Sequence, residues 1–315
     1  MHRIVLGLSL LSLEEELIHH QEQIDSRDAM GRTPLIWAAA RGNDHNVALL
    51  LGAGADPNSM DIQFTTAVSY AAERDHAVCV RLLLEAGADP DPPLPSDIKV
   101  GSGLNCAARN ASNPLLVKLL LDFGADVESS GVENITPLIH TARTDKASFA
   151  VLLLEYGADI NATTTLGQTP LTTAITHNSH TVLQLLLDRW SEYSECPRLK
   201  GTHLLQIAAL YADIQTIKIL KSTNHLALSY DHSYAAADFA TRLRERWDVS
   251  DELITAFDEL LQIIDRNPGT RVGTPSLMES GLLPYTDFDS EKVTFDTYSD
   301  QDSSEQSFDE ALEVL

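Results

Sequence analysis

Short apolar stretches with helical spacing alternate with polar turns over much of this 315-residue chain. Between residues 33 and 56 the apolar positions fall on two predicted helices, with Leu35, Ala38 and Ala39 on the first and Val47, Leu50 and Leu51 on the second. Alanine pairs or close variants then recur at Ala38, Ala71, Ala107, Thr141, Ala174 and Ala208, at spacings of 33, 36, 34, 33 and 34 residues. A period near 33 predicts a solenoid of stacked helix pairs, because no single pair can bury its own apolar face.

Start and stop signals frame each predicted helix. Thr33 is a good N-cap, and Pro34 suits the first helical position, where its missing N–H costs nothing. Gly42 and Gly54 are predicted to end the two helices in a left-handed conformation. Residues 56–63 then form a hairpin-like finger that leads into the next unit.

Two short sequence motifs recur along the chain and carry a family resemblance. Gly-Ala-Asp closes four units, at 54–56, 87–89, 124–126 and 157–159. Thr-Pro-Leu opens three, at 33–35, 136–138 and 169–171. This wording resembles the ankyrin repeat over most of residues 25–222. The resemblance implies an all-α ankyrin-repeat solenoid of stacked helix-turn-helix units with β-hairpin-like fingers, which works as a protein–protein interaction module.

Several units depart from the pattern. The finger within residues 90–103 is three residues longer than its neighbours and holds four prolines, so we expect it to be stiff. The fifth unit runs to Trp190 without a closing glycine and is followed by an irregular polar segment, 191–200. The sixth unit has Tyr211-Ala212 where a glycine is expected between its helices.

The repeat domain is predicted to cover residues 1–265, with about six recognisable units and degraded capping units at both ends. Residues 1–24 have the outline of such a cap. A secretory signal competes for this segment, but its apolar run is only about eight residues long and is followed by Glu14-Glu15-Glu16. Since Met1 falls inside a repeat, a longer multidomain protein is a further alternative.

At the other end, Ser250 is predicted to cap a closing helix. Its apolar stripe is Leu253, Phe257, Leu260, Leu261 and Ile264. Beyond it, residues 266–315 hold 11 acidic and three basic residues and show no sustained periodicity. This composition predicts a disordered acidic Ser/Thr-rich tail. Residues 307–315 alone have an amphipathic helical pattern.

Composition narrows the function. A formal net charge of −24 opposes nucleic acid and anionic membranes as partners. Three cysteines without paired spacing suit a reducing compartment, so we expect a cytoplasmic or nuclear protein. We also expect the protein to be a monomer. No catalytic motif is found, and neither His19-His20 nor His177 with His180 has a third metal ligand in evidence. We therefore expect no enzyme activity, no cofactor and no metal.

A candidate binding surface comes from laying the units over one another. The variable residues after the alanine pair, which the resemblance places on the concave side, include an arginine in four consecutive units: Arg41, Arg74, Arg109 and Arg143. The position before the pair, also expected on the inner surface, holds Trp37, Tyr70, Cys106, His140, Thr173 and Ile207. The planar guanidinium of arginine can donate two hydrogen bonds to one carboxylate, and aromatic rings can serve as apolar anchors for a ligand. The predicted partner-binding residues are Trp37, Arg41, Tyr70, Arg74, Arg109, His140 and Arg143.

Two functions follow from this pattern. The first is a non-catalytic scaffold or adaptor that binds a partner protein on the concave face and fingers, with an acidic peptide or the chain's own tail as the ligand. The alternative is a regulatory protein whose acidic tail recruits transcription or degradation machinery while the repeats select the target.

Overall fold

The structure is a computed structural model that describes residues 1–5, 12–93, 101–190, 201–222 and 233–265. Contacts divide the chain into two units, Met1–Thr270 and Arg271–Leu315, and everything described lies in the first. The stiff finger, the irregular segment 191–200 and the acidic tail were predicted for residues that lie wholly or partly outside the described ranges.

Sixteen α-helices make up the described part of the chain. In order they are α1 (His2–Val5), α2 (Leu13–His19), α3 (Pro34–Ala40), α4 (Asp44–Gly52), α5 (Ala67–Glu73), α6 (Ala77–Glu85), α7 (Gly103–Asn110), α8 (Pro114–Asp122), α9 (Pro137–Thr144), α10 (Ala147–Glu155), α11 (Pro170–Thr176), α12 (His180–Trp190), α13 (Gly201–Tyr211), α14 (Ile214–Ser222), α15 (Ser233–Glu245) and α16 (Asp251–Asp265). Short 3-10 turns lie at Gln21–Gln23 and Val132–Asn134.

The helices form two layers. The first helices of successive units, the odd-numbered α3 to α15, pack side by side, and the even-numbered α4 to α16 form the second layer. At the N-terminal end α1 packs on α3 and α2 on α4. Most first helices also pack on the second helix of their own unit. The expected all-α solenoid of stacked helix pairs is confirmed. An isolated bridge pairs Met60 with Thr66, so this finger extends three residues beyond its predicted end at Gln63.

Local chemistry explains where the first helices begin. The Thr33 side chain accepts a hydrogen bond from the Ile36 backbone N–H, and Pro34 follows as the first helical residue. Thr66, Ser102, Thr136 and Thr169 cap α5, α7, α9 and α11 in the same way. Behind the caps the alanine pairs are buried; Ala38 and Ala39 have no exposed surface. Small side chains here let neighbouring first helices approach closely.

Backbone hydrogen bonds join neighbouring units at the aspartate of the Gly-Ala-Asp sequences. The Asp56 backbone N–H donates to the Asp25 carboxylate, and the Asp89 N–H donates to Asn58 Oδ1 at 2.7 Å. The Asp159 N–H likewise donates to Glu128 Oε1 at 2.7 Å. In the last two cases, the residue two positions after one unit's aspartate accepts the backbone N–H of the aspartate of a later unit.

The turn between paired helices needs a residue that tolerates positive φ. Gly42 has φ 65°, as predicted, and a Cβ there would come within 2.6 Å of the His76 ring. Asp75, Asp145 and Asn178 occupy the equivalent position with φ between 53° and 62°. Asp and Asn tolerate this region better than most residues.

These turn side chains also connect neighbouring units. Asp75 Oδ2 accepts hydrogen bonds from the backbone and side chain of Ser112. Asp145 Oδ1 accepts from the Thr181 and Val182 backbone N–H groups, which lie in the first turn of α12. A single residue therefore reverses its own chain and satisfies donors at the start of the next unit's second helix.

Two units lack such a turn residue and use a cation from the following unit instead. Where Ala111 replaces it, Lys146 Nζ donates to the Arg109 and Ala111 carbonyls, both at 2.7 Å. Where Ala212 replaces it, Arg246 Nη1 donates to the Ala212 carbonyl at 2.9 Å. A positive charge suits the carbonyl-rich C-terminus of a helix. This cation cap explains how the sixth unit does without the expected glycine.

The helices at the two ends of the described stack bury part of the apolar side chains in the predicted capping segments. The Leu253 backbone N–H donates to Ser250 Oγ at 3.1 Å, and Leu253, Phe257 and Leu260 are buried along α16. At the other end Leu13 is buried and Ile18 is 77% exposed, so α2 buries only part of its apolar side chains. The capping box that Ser12 and Glu15 form at the start of this helix was not anticipated.

The cation cap makes a testable contribution to stability. Lys146→Met keeps an unbranched side chain but removes the ammonium, which donates to three carbonyls of the preceding unit and lies 5.2 Å from the Phe149 ring centre. We expect the free energy of unfolding to fall by about 2 kcal/mol, as for a charge-assisted hydrogen bond lost at a partly buried site. Urea denaturation followed by circular dichroism measures it. The matched control is Lys118→Met at an exposed position of α8, and an equal loss in both variants would contradict the cap.

Candidate functional site

The four predicted arginines lie at corresponding places in successive units. Arg41 and Arg74 are the C-cap residues of α3 and α5, and Arg109 and Arg143 lie in the last turns of α7 and α9. These helices are consecutive in the first layer, so the arginines come from the same end of successive helices, although Arg109 and Arg143 stand one residue closer to the alanine pair than Arg41 and Arg74 do. We call these four residues the arginine row.

The members of the row differ in how free they are. Arg109 Nη2 donates to Glu73 Oε1 at 2.9 Å, and Arg74 is half-buried with interactions of its own. Arg41 and Arg143 are exposed, and no ion pair of theirs is found among the described residues. Within the described part of the chain, two guanidinium groups therefore face solvent without a carboxylate, and a third faces it while held by one.

The aromatic positions are not on the surface. Trp37 is 0% exposed and Tyr70 is 4% exposed, so the expectation that they lie on the inner surface as apolar anchors is wrong. Trp37 Nε1 donates to Asp28 Oδ2 and Tyr70 Oη donates to Asp61 Oδ2, each at 2.8 Å. The carboxylates of the fingers thus bind the polar atoms of the two side chains, and the rings themselves are part of the hydrophobic core.

A buried arginine completes this cluster. Arg32 is 0% exposed, and its guanidinium carbon lies 5.1 Å from the Trp37 ring centre and 5.9 Å from that of Tyr70. The Asp28 and Asp61 carboxylates bind the polar atoms of these two rings, which brings two acidic groups to the same cluster. Burial, followed by the hydrogen bond to Asp61, raises the pKa of the Tyr70 hydroxyl well above its usual range. Sequence reasoning missed Arg32, since a charged residue before a helix cap is typical of a surface position.

His140 has the most unusual environment near the row. Its Nδ1 is enclosed and has no hydrogen-bond partner among the described residues. Burial lowers the pKa of His140 to about 3, and the positive charges of Arg109, Arg143 and Lys146 add to that shift. His140 is therefore a neutral imidazole at neutral pH, and the cations that act on it come from α7, α9 and the N-cap of α10.

The fingers present exposed apolar side chains that the sequence analysis did not single out. Ile62 is 59%, Val132 68% and Leu166 66% exposed. Ile62 and Val132 each stand four residues before a helix-capping threonine, and this shared place in the finger is the signal that would have found them.

His177 and His180, which the sequence analysis considered as metal ligands, each lie within hydrogen-bonding distance of another residue. His180 Nε2 lies 2.9 Å from Asp213 Oδ2, and His177 Nδ1 lies 3.0 Å from the Thr173 carbonyl oxygen. In the described ranges no three His, Cys, Asp or Glu side chains are grouped as a metal ion would require. Across the same residues, no helix combines the length and apolarity needed to cross a bilayer.

Removing the Tyr70 hydroxyl tests the buried cluster. Tyr70→Phe leaves Asp61 Oδ2 without this donor at a position that is 6% exposed, so we expect a loss of about 1–3 kcal/mol in the free energy of unfolding. Tyr156→Phe is the control, because the exposed Tyr156 hydroxyl also donates to a carboxylate, that of Asp122. Urea midpoints compare the variants; similar midpoints would show that Asp61 does not depend on Tyr70.

The low pKa of His140 predicts a pH-dependent stability. The unfolded chain binds a proton at this residue below its ordinary pKa of 6.5, whereas the folded chain does so only near 3, so stability falls as the pH drops between these values. We expect His140→Gln to remove up to about 2 kcal/mol of the loss between about pH 7 and pH 5. Urea unfolding at both pH values measures it, with the exposed His45→Gln as control. An unchanged pH dependence in His140→Gln would place the histidine pKa near its ordinary value.

Comparison with known proteins agrees with this architecture. A family model described as ankyrin repeats, in three copies, matches residues 8–93 and 104–196, which is more than half of the chain. A search of curated proteins finds no match. The family match agrees with the two helical layers, the fingers and the repeated capping residues described above. The chain therefore belongs to the ankyrin repeat family.

Proposed function

We propose that this protein is a non-catalytic adaptor that binds an acidic segment of a partner protein along the arginine row, Arg41, Arg74, Arg109 and Arg143. Ankyrin repeats generally act as protein–protein interaction modules. The observation that carries the finer proposal is the recurrence of a guanidinium at the same helix end in four consecutive units.

Charge supports an acidic ligand. The chain has 22 basic and 46 acidic residues, yet these four units align arginines at one end of the first-helix layer. Burial is the main cause of the lowered pKa of His140, and the charges of Arg109, Arg143 and Lys146 lower it further, which is the effect of a locally positive potential. A planar guanidinium donates two hydrogen bonds to one carboxylate, so exposed members of the row suit Asp and Glu side chains.

Dimensions support an extended segment. Helices packed side by side are about 10 Å apart, so four arginines span roughly 30 Å. An extended chain rises about 3.3 Å per residue, and about nine residues would therefore contact the whole row. With Trp37 and Tyr70 buried, we propose that the exposed finger residues Ile62 and Val132 supply the apolar contacts.

The proposed ligand belongs to a partner protein and is distinct from the chain's own acidic residues 266–315. That this tail competes for the same site stays a prediction from the sequence. The alternative function, in which that tail recruits transcription or degradation machinery, also depends on residues outside the described ranges. The arginine row favours the adaptor, because it is a property of the repeats themselves.

A charge-matched comparison tests the proposal. The full chain and its Arg109→Gln/Arg143→Gln variant are titrated into fluorescein-labelled hexaglutamate at low salt, and binding is followed by fluorescence anisotropy. We expect at least a tenfold weaker affinity in the variant, since two charge-assisted contacts of roughly 1 kcal/mol or more are lost. Binding of the full chain should also weaken steeply as salt is added.

The control variant is Arg81→Gln/Lys118→Gln, which removes the same charge from exposed positions on α6 and α8 of the second layer. It should bind hexaglutamate as the parent does. Equal weakening in both variants would assign the affinity to net charge and contradict a site on the arginine row.

A further inference from the structure

The turns between the first and second helices of successive units contact one another and form a continuous edge of the stack, which we call the turn edge. Ser112 of the third unit donates to Asp75 of the second, and Lys146 joins the third and fourth units. Thr181 of the fifth unit donates to Asp145 of the fourth. The C-terminal ends of the first helices lie at these turns, so the arginine row lies along the first four units of the turn edge.

The turn edge continues beyond the arginine row. The Asn178 side chain in the turn of the fifth unit donates to the Tyr211 carbonyl of the sixth at 3.1 Å. Arg246, which lies between α15 and α16 of the seventh unit, donates to the Ala212 carbonyl at 2.9 Å. Tyr211 is the last residue of α13, and Trp247 directly follows Arg246. The edge therefore carries arginines in units one to four and an aromatic residue in each of units six and seven.

Trp247 is displayed on a turn that is held in place. Its side chain is 97% exposed, more than any other large apolar side chain in the described part of the chain. Arg246 Nε and Nη2 donate to the two Asp248 oxygens at 2.9 and 2.6 Å, which ties together the residues on either side of Trp247. Ser250 then caps α16. A large ring on a fixed turn loses little conformational freedom when it is bound, which suits an anchor residue of an interface.

The two halves of the turn edge offer different contacts to a ligand. Arg41 and Arg143 are exposed members of the arginine row and suit carboxylates. In the seventh unit Arg246 pairs with Asp248, so its charge is already matched beside the exposed ring. Tyr211 is 36% exposed in the preceding unit. A chain that follows the edge meets positive charge first and apolar surface afterwards.

We propose that Trp247, together with Tyr211 of the preceding unit, is an apolar anchor site for the partner segment that binds the arginine row, and that this segment carries a large hydrophobic side chain outside its acidic stretch. The inference rests on the proposed function, because the arginine row brings the segment to the turn edge. The anchor is a contact in addition to those of the finger residues Ile62 and Val132.

The spacing of the units sets the distance between the two contacts. From Arg143 in unit four to Trp247 in unit seven there are three steps of about 10 Å, which is roughly 30 Å. About nine residues of extended chain span this distance. Since both contacts are made by one segment, the second is intramolecular, and even a weak apolar contact raises the overall affinity.

Fluorescence anisotropy of labelled peptides tests the anchor on the full chain. One peptide joins hexaglutamate to a terminal phenylalanine through about twelve Gly and Ser residues, a linker whose extended length exceeds the span, and a second peptide has the reverse order. Fluorescein is attached at the glutamate end. In the reference peptides glycine replaces the phenylalanine. We expect the phenylalanine to tighten binding by about threefold or more in one of the two orders, and Trp247→Ala to remove this gain.

Ile263→Ala is the matched control variant. Ile263 is 45% exposed in the same unit, near the end of α16 that lies away from the turn edge. This variant should keep the gain from phenylalanine. Equal loss of the gain in both variants would contradict an anchor at Trp247.

Tryptophan fluorescence gives a second readout. The chain has three tryptophans, of which Trp37 is buried, and the difference in acrylamide quenching between the parent and Trp247→Phe reports on Trp247. We expect the peptide that carries phenylalanine to protect Trp247 from acrylamide, and hexaglutamate to leave it accessible. Protection that instead appears without peptide as the concentration of the chain is raised would identify a second copy as the occupant and overturn the proposal.

The outcomes separate the anchor from the proposed function. If the peptides bind and depend on Arg109 and Arg143, but phenylalanine adds no affinity in either order, the anchor is overturned and the proposed function stands. If no binding depends on those arginines, the proposed function fails and the anchor fails with it. Should Trp247→Ala fail to fold, protection from acrylamide, measured against Trp247→Phe, decides alone.

Discussion

Each unit of this protein depends on its neighbours, because a pair of helices of mostly seven to nine residues has too little surface to bury its own apolar face. The first helices meet through alanines with no exposed surface, such as Ala38 and Ala39, and the second helices meet through Val47, Leu50 and their equivalents. This mutual burial requires every unit to present the same two faces at the same spacing. The period of the sequence is the direct consequence.

Stacking also determines how backbone polar groups are satisfied. The turn between paired helices is closed by a glycine in one unit and by Asp75, Asp145 or Asn178 in others, whose side chains bind the next unit. Where an alanine stands instead, Lys146 or Arg246 of the following unit donates to the carbonyl of that buried alanine. The requirement is the same throughout, but the group that meets it comes from either side of the interface. Neighbouring units are therefore coupled by polar contacts as well as by the apolar core.

Whether a side chain is buried or exposed also determines which residues can form the candidate site. In the first two units the fingers supply carboxylates that draw Trp37 and Tyr70 into the core around Arg32, which leaves neither ring on the surface as an anchor. Further along, the finger carboxylate is absent, and His140 lies among cations with a nitrogen that has no partner in the described part of the chain. The same position of the repeat is therefore a hydrogen-bonded ring in the first two units and an imidazole without a finger carboxylate further along.

The sequence by itself determined the fold and the start of those first helices that open with Thr-Pro. These follow from local signals, such as Thr33-Pro34 and the recurring alanine pairs, whose effects act within one turn of helix or between similar neighbours. It also placed the arginines at one helix end. Only the tertiary structure decided which predicted site residues are exposed: Trp37 and Tyr70 are buried, and Arg109 is paired with Glu73. Exposure and pairing depend on side chains some 35 residues away in the next unit, such as Arg109 for Glu73 and Arg246 for Ala212, and periodicity along one chain carries no information on which of these contacts forms.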